Sequence, residues 1–95
     1  MAFKTELTAL ADIIDAVPAA DRIHRLSLYA SANAIVELIG ANSPEPKYNH
    51  ANGRLASYME DLAKATLPQE VHDQDKHLEE ARMDLGVAQG DFKFN

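Results

Sequence analysis

The segment that decides the fold class is residues 21–40, DRIHRLSLYASANAIVELIG. On a helix, apolar side chains cover most of its circumference and leave a narrow polar stripe. That pattern is typical of a helix at the centre of a domain or of an oligomer. Asp21 suits the positive end of a helix dipole, and Gly40 is a natural residue just past a helix end. The sequence therefore predicts a long central helix over residues 19–39.

This predicted helix also carries a run of small side chains: Ser27, Ala30, Ser31 and Ala34. Small residues let the backbone of a neighbouring helix approach closely. Two interpretations follow from this run. The residues either pack inside the domain or form a seam between two copies of the chain in a homodimer.

Two more segments have apolar residues at three- and four-residue intervals, which predicts helices over residues 5–16 and 50–65. Thr5 is the expected N-cap of the first of these helices. Pro18 is expected to end it, because a proline ring disfavours helical geometry in the residue before it.

A fourth helix is predicted over residues 67–85. Thr66 and Gln69 have the spacing of a capping box at its start, and Gly86 is the expected residue at its end. The remaining segments are a loop over residues 40–49, which contains two prolines, and an irregular tail over residues 86–95.

Together these segments predict an all-α fold, a small antiparallel bundle of about four helices formed by one domain over residues 1–95. Phe92 and Phe94 alternate with charged residues in the tail, and we expect them to dock on the bundle or on a partner.

Composition narrows the function classes. The chain has 95 residues and no cysteine, which excludes disulfides and thiolate metal sites. Residues 1–15 lack a continuous apolar run, so we expect no signal peptide. No stretch approaches the roughly 18 apolar residues of a membrane span. We therefore expect a cytoplasmic protein with no membrane contact.

The charge balance argues against direct binding of nucleic acid. Nine lysines and arginines face fifteen acidic residues, and the net charge is −6. Phosphate backbones require a clustered basic surface. The densest basic group is Arg22, His24 and Arg25, which an exposed helical turn explains adequately.

Acidic residues concentrate in residues 66–86, TLPQEVHDQDKHLEEARMDLG, which hold six acids and two bases. On a helix, one stripe is suited to burial: Val71, Gln74, Leu78, Ala81 and Leu85. A charged stripe flanks it about 100° around the helix. The members of this acidic stripe are Glu70, Asp73, His77, Glu80 and Asp84.

The acidic stripe predicts a protein–protein interaction or regulatory module, because an acidic edge beside an apolar seam can dock a basic partner. The partner could be a second copy, with Arg22 and Arg25 meeting Glu80 and Asp84. An alternative is an acidic inhibitor that occupies the basic groove of a nucleic-acid-binding protein as a phosphate mimic.

The other alternative is a metal-binding bundle, with His77, Glu80 and Asp84 as ligands. Di-iron bundles use Glu-x-x-His pairs on facing helices. Here the order is reversed, and no second helix carries a matching motif. Glu37 and Glu60 are candidate extra ligands. The solvated charged face is the simpler interpretation, so we predict no cofactor.

Catalysis has little support in the sequence. There is no cysteine nucleophile, no glycine-rich phosphate loop, no Gly-x-Ser-x-Gly elbow and no His-Glu-x-x-His pair. Ser27 and Ser31 lie near His24 on one helix, which is a poor geometry for a nucleophile and its base. We therefore expect a protein that is not an enzyme.

Overall fold

A computed structural model describes residues 2–44, 46–67 and 72–94, the side chain of Phe94 excepted. In these ranges the chain is helical, with no strand, and the predicted all-α fold is confirmed. Four α-helices make up the bundle: α1 (Lys4–Ala16), α2 (Arg22–Ala41), α3 (Asn49–Thr66) and α4 (Gln74–Phe94). A short 3-10 turn, Val17–Ala19, links α1 to α2. None of the described helices has the length and hydropathy that a membrane span requires.

Helices α3 and α4 form the most extensive packing in the bundle. Three contacts across their seam fix the relative direction of the two helices: His50 with Asp91, Arg54 with Asp84, and Asp61 with His77. Residue numbers rise along α3 while those of the partners on α4 fall. The two helices therefore run antiparallel, as the sequence predicts for neighbours joined by a short connection.

The core lies between α1, α3 and α4. It is lined by side chains that are almost completely inaccessible to solvent, including Leu7, Leu10, Ile14, Leu55, Leu62, Leu85 and Ala88. Tyr58 of α3 is also buried, and its hydroxyl donates a 2.8 Å hydrogen bond to the backbone carbonyl of Leu10 in α1. Burial of the Tyr58 hydroxyl without this acceptor would carry a large desolvation cost. The bond therefore fixes α1 against α3.

Within the chain, α2 is not the central helix that its apolar composition predicts. Ala32 and Ile39 are its fully buried residues in the described part of the chain. By contrast, Ile23 is 76% exposed, Leu38 is 53% exposed and Leu26 is 47% exposed. The helix lies at the edge of the bundle, where one side contacts α1 and α3 and the other faces solvent.

The two ends of α2 differ in how well they were predicted. Asp21 is the N-cap, and its carboxylate accepts a 2.9 Å hydrogen bond from the backbone N–H of His24. The prediction that Gly40 follows the last turn is wrong, because α2 continues to Ala41. The side-chain amide of Asn42 donates to the carbonyl of Leu38 at 2.8 Å, which satisfies an acceptor that the helix end leaves open.

The predicted N-cap of α1, Thr5, is wrong by two residues. The helix begins at Lys4, and Phe3 precedes it in the left-handed region with φ 62°. The carbonyl of Phe3 accepts a 2.8 Å hydrogen bond from the N–H of Leu7, so the first helical bond starts at Phe3. The ring of Phe3 meets the ring of Phe92 edge-on at 5.2 Å, and this tertiary contact stabilises the early start.

The predicted start of the fourth helix is also wrong. Thr66 is the last residue of α3, and its hydroxyl donates back to the carbonyl of Leu62 at 2.7 Å. It therefore ends one helix and does not cap the next, and α4 begins at Gln74. Gln69, the other member of the predicted capping box, lies outside the described residues.

The irregular tail predicted over residues 86–95 is wrong, because α4 continues through Gly86 and Gly90 to Phe94. Each glycine costs about 1 kcal/mol relative to alanine in a helix. Burial of Phe92 offsets this cost. Its ring lies 5.2 Å from the ring of Phe3 and 5.2 Å from the ring of Tyr48. Of the two docking expectations, the one for Phe92 on the bundle is confirmed.

Candidate functional site

A cluster of titratable side chains lies where α3 and α4 face each other. We call it the α3–α4 cluster, and its members are Asp61, His77, Glu80 and Asp84. The Nδ1 atom of His77 lies 3.9 Å from a carboxylate oxygen of Asp61 and 4.0 Å from one of Glu80. One donor atom from each of these three residues lies within 4.8 Å of the other two. That grouping is compatible with a single bound cation.

The antiparallel pairing of α3 with α4 explains how the cluster forms. His77, Glu80 and Asp84 recur at three- and four-residue spacing, so they share one side of α4. The neighbouring side of α4 carries the buried residues Leu78, Ala81 and Leu85, which confirms the predicted seam at these three positions. The part of the acidic stripe formed by His77, Glu80 and Asp84 therefore flanks the seam and faces the edge of α3.

Asp61 is an acid in an unfavourable setting. Its side chain is 13% exposed, and the carboxyl groups of Glu80 and Asp84 lie beside it. Burial first, and then these two acidic neighbours, raise the pKa of Asp61 from 3.8 to about 6. Both factors disfavour the ionised form of a carboxyl group. A cation between these groups would relieve the repulsion.

His77 has a ring nitrogen with no satisfied hydrogen bond. Its Nδ1 atom is buried, and no hydrogen-bond partner for it exists in the described part of the chain. Buried side-chain nitrogens nearly always have a partner in folded proteins. The nearest candidates are the two carboxylate oxygens at 3.9 Å and 4.0 Å, which are beyond hydrogen-bond distance.

Asp84 is the member of the cluster that lies beside a basic residue. Its carboxylate lies 3.5 Å from the guanidinium of Arg54, and its side chain is 16% exposed. It also contacts Asp61. Asp84 therefore connects the acidic group of α4 to the positive charge of α3, and part of its negative charge is balanced inside the protein.

The described members of the remaining predicted partner-binding residues lie apart from the cluster. Asp73 is exposed with φ 54° just before α4, and Glu70 is outside the described residues. Arg22 is exposed on α2, while Arg25 is half-buried on the side of α2 that faces the bundle. Among the described residues, no ion pair joins Arg22 or Arg25 to the acidic stripe.

Asp61 is the member of the cluster that sequence reasoning missed. The extra ligands considered from the sequence, Glu37 and Glu60, are both exposed and lie outside the cluster. The spacing of the sequence nevertheless indicated that Asp61 could face His77. If α3 and α4 fold back on each other about a short connection near residue 69, positions 61 and 77 lie at equal distances from the turn.

A second candidate site is the outer side of α2, which we call the α2 face. Its residues are Ile23, Leu26, Ser27, Ala30, Ala34, Glu37 and Leu38, and all of them are exposed. At 100° per residue they fall within about one third of the helix circumference. The face has large apolar residues near both ends, small residues between them and one acid.

No protein-family model, curated protein or solved structure matches this chain.

Proposed function

We propose that this protein is a non-enzymatic protein–protein interaction module that pairs with a second copy of itself through the α2 face. The observation that carries the proposal is the exposure of Ile23, Leu26 and Leu38 on one side of the most apolar helix. A surface that exposes several large apolar side chains on a small protein is typical of an interaction surface.

The pattern of the α2 face favours a copy of the same chain as its partner. Two α2 helices that pair antiparallel about a two-fold axis near Ala30 and Ser31 place Ile23 of one copy opposite Leu38 of the other. The small residues then meet at the centre, where the two backbones approach most closely. A two-fold interface uses the same patch twice, so such a patch must complement itself.

Charge supports the same arrangement. Arg22 and Glu37 are exposed at opposite ends of α2, and both lie on the edge of the α2 face that holds Leu26. The two-fold axis is perpendicular to both helices and lies in the interface, so this edge of one copy and the same edge of the other lie on the same side of the dimer. Arg22 of one copy therefore comes beside Glu37 of the other, twice per dimer. Opposite charges at an interface rim fix its register.

A groove beside α2 supports the fit of Leu38. The groove is lined by residues that include Ala16, Ala20, Ser27 and Leu28. Leu38 and Ser27 lie on the same edge of the α2 face. In the antiparallel arrangement, the side chain of Leu38 from one copy reaches this groove on the other. An apolar anchor in an apolar groove contributes most of the binding energy in many interfaces.

The non-enzymatic part of the proposal draws on the sequence, which contains no cysteine nucleophile, no glycine-rich phosphate loop and no Gly-x-Ser-x-Gly elbow. A cytoplasmic location belongs to the same proposal, and its support is the absence of cysteine from the sequence.

The test is sedimentation velocity over a concentration range from about 5 to 500 µM, which covers weak interfaces of small area. We expect a monomer–dimer equilibrium that persists at high salt, because the α2 face is mainly apolar. Ala30→Glu should abolish the dimer. Ala56→Glu, at an exposed alanine of α3, is the matched control and should not.

A charge swap tests the antiparallel register. Arg22→Glu and Glu37→Arg should each weaken the dimer a few-fold, since a rim ion pair contributes about 0.2–1 kcal/mol. The double variant should restore it. A monomer at every concentration would contradict the proposal. A dimer that dissociates at high salt would point instead to the acidic stripe, as would one that tolerates Ala30→Glu.

A further inference from the structure

We propose that Asp61, His77 and Glu80 form a binding site for one divalent transition-metal ion, with Zn²⁺ as the probe. The site joins α3 to α4 through one imidazole nitrogen and two carboxylate oxygens. It is independent of the α2 face, because its ligands lie on α3 and α4.

The distances between donor atoms are close to those of a coordinated ion. Zinc binds nitrogen and oxygen at about 2.0–2.2 Å, which places neighbouring donors roughly 3–3.5 Å apart. The corresponding distances here are 3.9 Å for His77 with Asp61 and 4.0 Å for His77 with Glu80. Each distance must shorten by about 0.5 Å for coordination. Glu80, whose side chain is 45% exposed, has room to move toward the other two donors.

The buried Nδ1 atom of His77 is an independent sign of a ligand. It lies between two carboxylates but outside hydrogen-bond distance of either, so its lone pair or proton has no partner in the described part of the chain. A metal ion between the three groups would give this nitrogen a bond and would neutralise the carboxylates. The competing arrangement is a protonated imidazole that forms ion pairs with Asp61 and Glu80.

The donor set selects the class of ion. Calcium and magnesium prefer sites made of oxygen donors alone, and an imidazole ligand argues against both. Zn²⁺, Fe²⁺ and related ions accept imidazole together with carboxylate. Three protein ligands also leave a coordination position for water or for a group from a partner.

Two residues outside the ligand set support it. Asp84 contacts the carboxyl group of Asp61, and Arg54 in turn lies 3.5 Å from Asp84. Groups that contact ligands in this way hold them in the orientation required for coordination. Arg54 also balances the charge of Asp84, which leaves the two carboxylate ligands to neutralise the ion.

The first experiment titrates EDTA-treated protein with Zn²⁺ and follows binding by calorimetry. We expect one ion per chain, and a rise in Tm of about 5 °C or more once free Zn²⁺ exceeds the Kd roughly tenfold. The ring resonances of His77 should shift in the NMR spectrum. Those of the other three histidines should remain in place.

The second experiment compares three variants. Glu80→Gln removes the most exposed ligand, so its fold should survive, and His77→Ala removes the nitrogen donor. Each should raise the Kd for Zn²⁺ at least about tenfold. His72→Ala is the matched control, because it removes an exposed histidine near the start of the same helix. It should leave the Kd unchanged.

The proposal is overturned if Zn²⁺ does not bind at about 100 µM, well above the Kd of typical structural sites. It is equally overturned if Glu80→Gln and His77→Ala bind as tightly as His72→Ala. In that case the ion-paired imidazole is the correct description. Neither variant alters the α2 face, so the dimerisation result is a separate outcome.

Discussion

The α3–α4 pair and α2 differ in how completely they bury their apolar side chains. Helix α3 carries a single row of apolar residues, including Leu55, Tyr58 and Leu62, and all three are completely buried. Helix α2 has apolar residues around most of its circumference, yet Ile23 is 76% exposed and Leu38 is 53% exposed.

The difference teaches that a well-aligned stripe predicts burial better than total apolar content does. A stripe on α3 faces a stripe on α4, so each buries the other. On α2 the bundle can cover one side, and the apolar residues on the other side then need a partner outside the chain or remain in water.

Phe92→Ala should have the largest effect on stability. Its ring is 1% exposed and packs against Phe3 and Tyr48, so it holds the end of α4 to both the start of α1 and the segment before α3. Removal of a buried phenylalanine costs about 3–5 kcal/mol. Urea denaturation followed by circular dichroism measures the change in the free energy of unfolding.

The control for this variant is Met83→Ala, because Met83 also lies on α4 but is 67% exposed. Its effect should stay within about 0.5 kcal/mol. If the two variants are equally stable, then the C-terminal turns of α4 do not contribute to the core.

A matched pair of leucines tests the contrast between the two regions directly. Leu62→Ala in α3 should cost about 2–5 kcal/mol, because Leu62 is completely buried. Leu38→Ala in α2 should change the free energy of unfolding of the monomer by no more than about 0.5 kcal/mol.

The two leucine variants must be compared at a protein concentration low enough for a dimer to dissociate. At high concentration Leu38→Ala should lose additional stability, since dissociation of the dimer is then linked to unfolding. Equal losses for the two leucines in dilute protein would show that α2 is packed as tightly as α3.

The sequence predicted the helical class and the apolar stripes of α1, α3 and α4, because these depend on periodicity alone. The errors concerned the position of α2 in the bundle and the ends of the helices. Phe92 packs against residues distant in the sequence, and this contact carries α4 past Gly86 and Gly90, which local propensity treats as stop signals. No pattern within residues 86–95 contains that information.

The candidate site was predictable on one helix only. The positions of His77, Glu80 and Asp84 follow from helical spacing within α4. Asp61 joins them through the register between α3 and α4, which the packing of the two helices sets. An acid beside a buried leucine in α3 has no distinguishing feature until its partner helix is known.

Tyr58→Phe tests the hydrogen bond that joins α3 to α1. The hydroxyl of Tyr58 donates to the carbonyl of Leu10 at 2.8 Å, and the ring itself stays buried in the variant. Loss of one neutral hydrogen bond should cost about 1 kcal/mol, measured by urea denaturation. The matched control is Tyr29→Phe, which removes a hydroxyl from a half-buried tyrosine of α2. Tyr29→Phe should lower the free energy of unfolding by less than Tyr58→Phe does. A larger loss for Tyr29→Phe would place the critical contacts on α2.

Asp61→Asn should produce the smallest change in the free energy of unfolding, and the size of this change depends on pH. The pKa of Asp61 is raised to about 6 by burial and by the carboxyl groups of Glu80 and Asp84, with His77 facing the same group. The folded state therefore holds a proton that the unfolded state releases at lower pH. The stabilisation is fully present below the ordinary pKa of 3.8 and is lost as pH rises through about 6.

The Asn variant has no such loss, so it should equal or exceed the parent in stability at neutral pH, and it should depend less on pH between about 4 and 7. Denaturation in the presence of EDTA isolates this effect from any bound metal. Glu80 is 45% exposed, so water screens the repulsion and keeps the gain modest. A variant that is less stable than the parent at neutral pH would mean that Asp61 is ionised and stabilised by a protonated His77. The polar residues at the edge of the α3–α4 seam would then stabilise the packing of α3 against α4. The difference in stability between this helix pair and α2 would be larger than apolar burial alone implies.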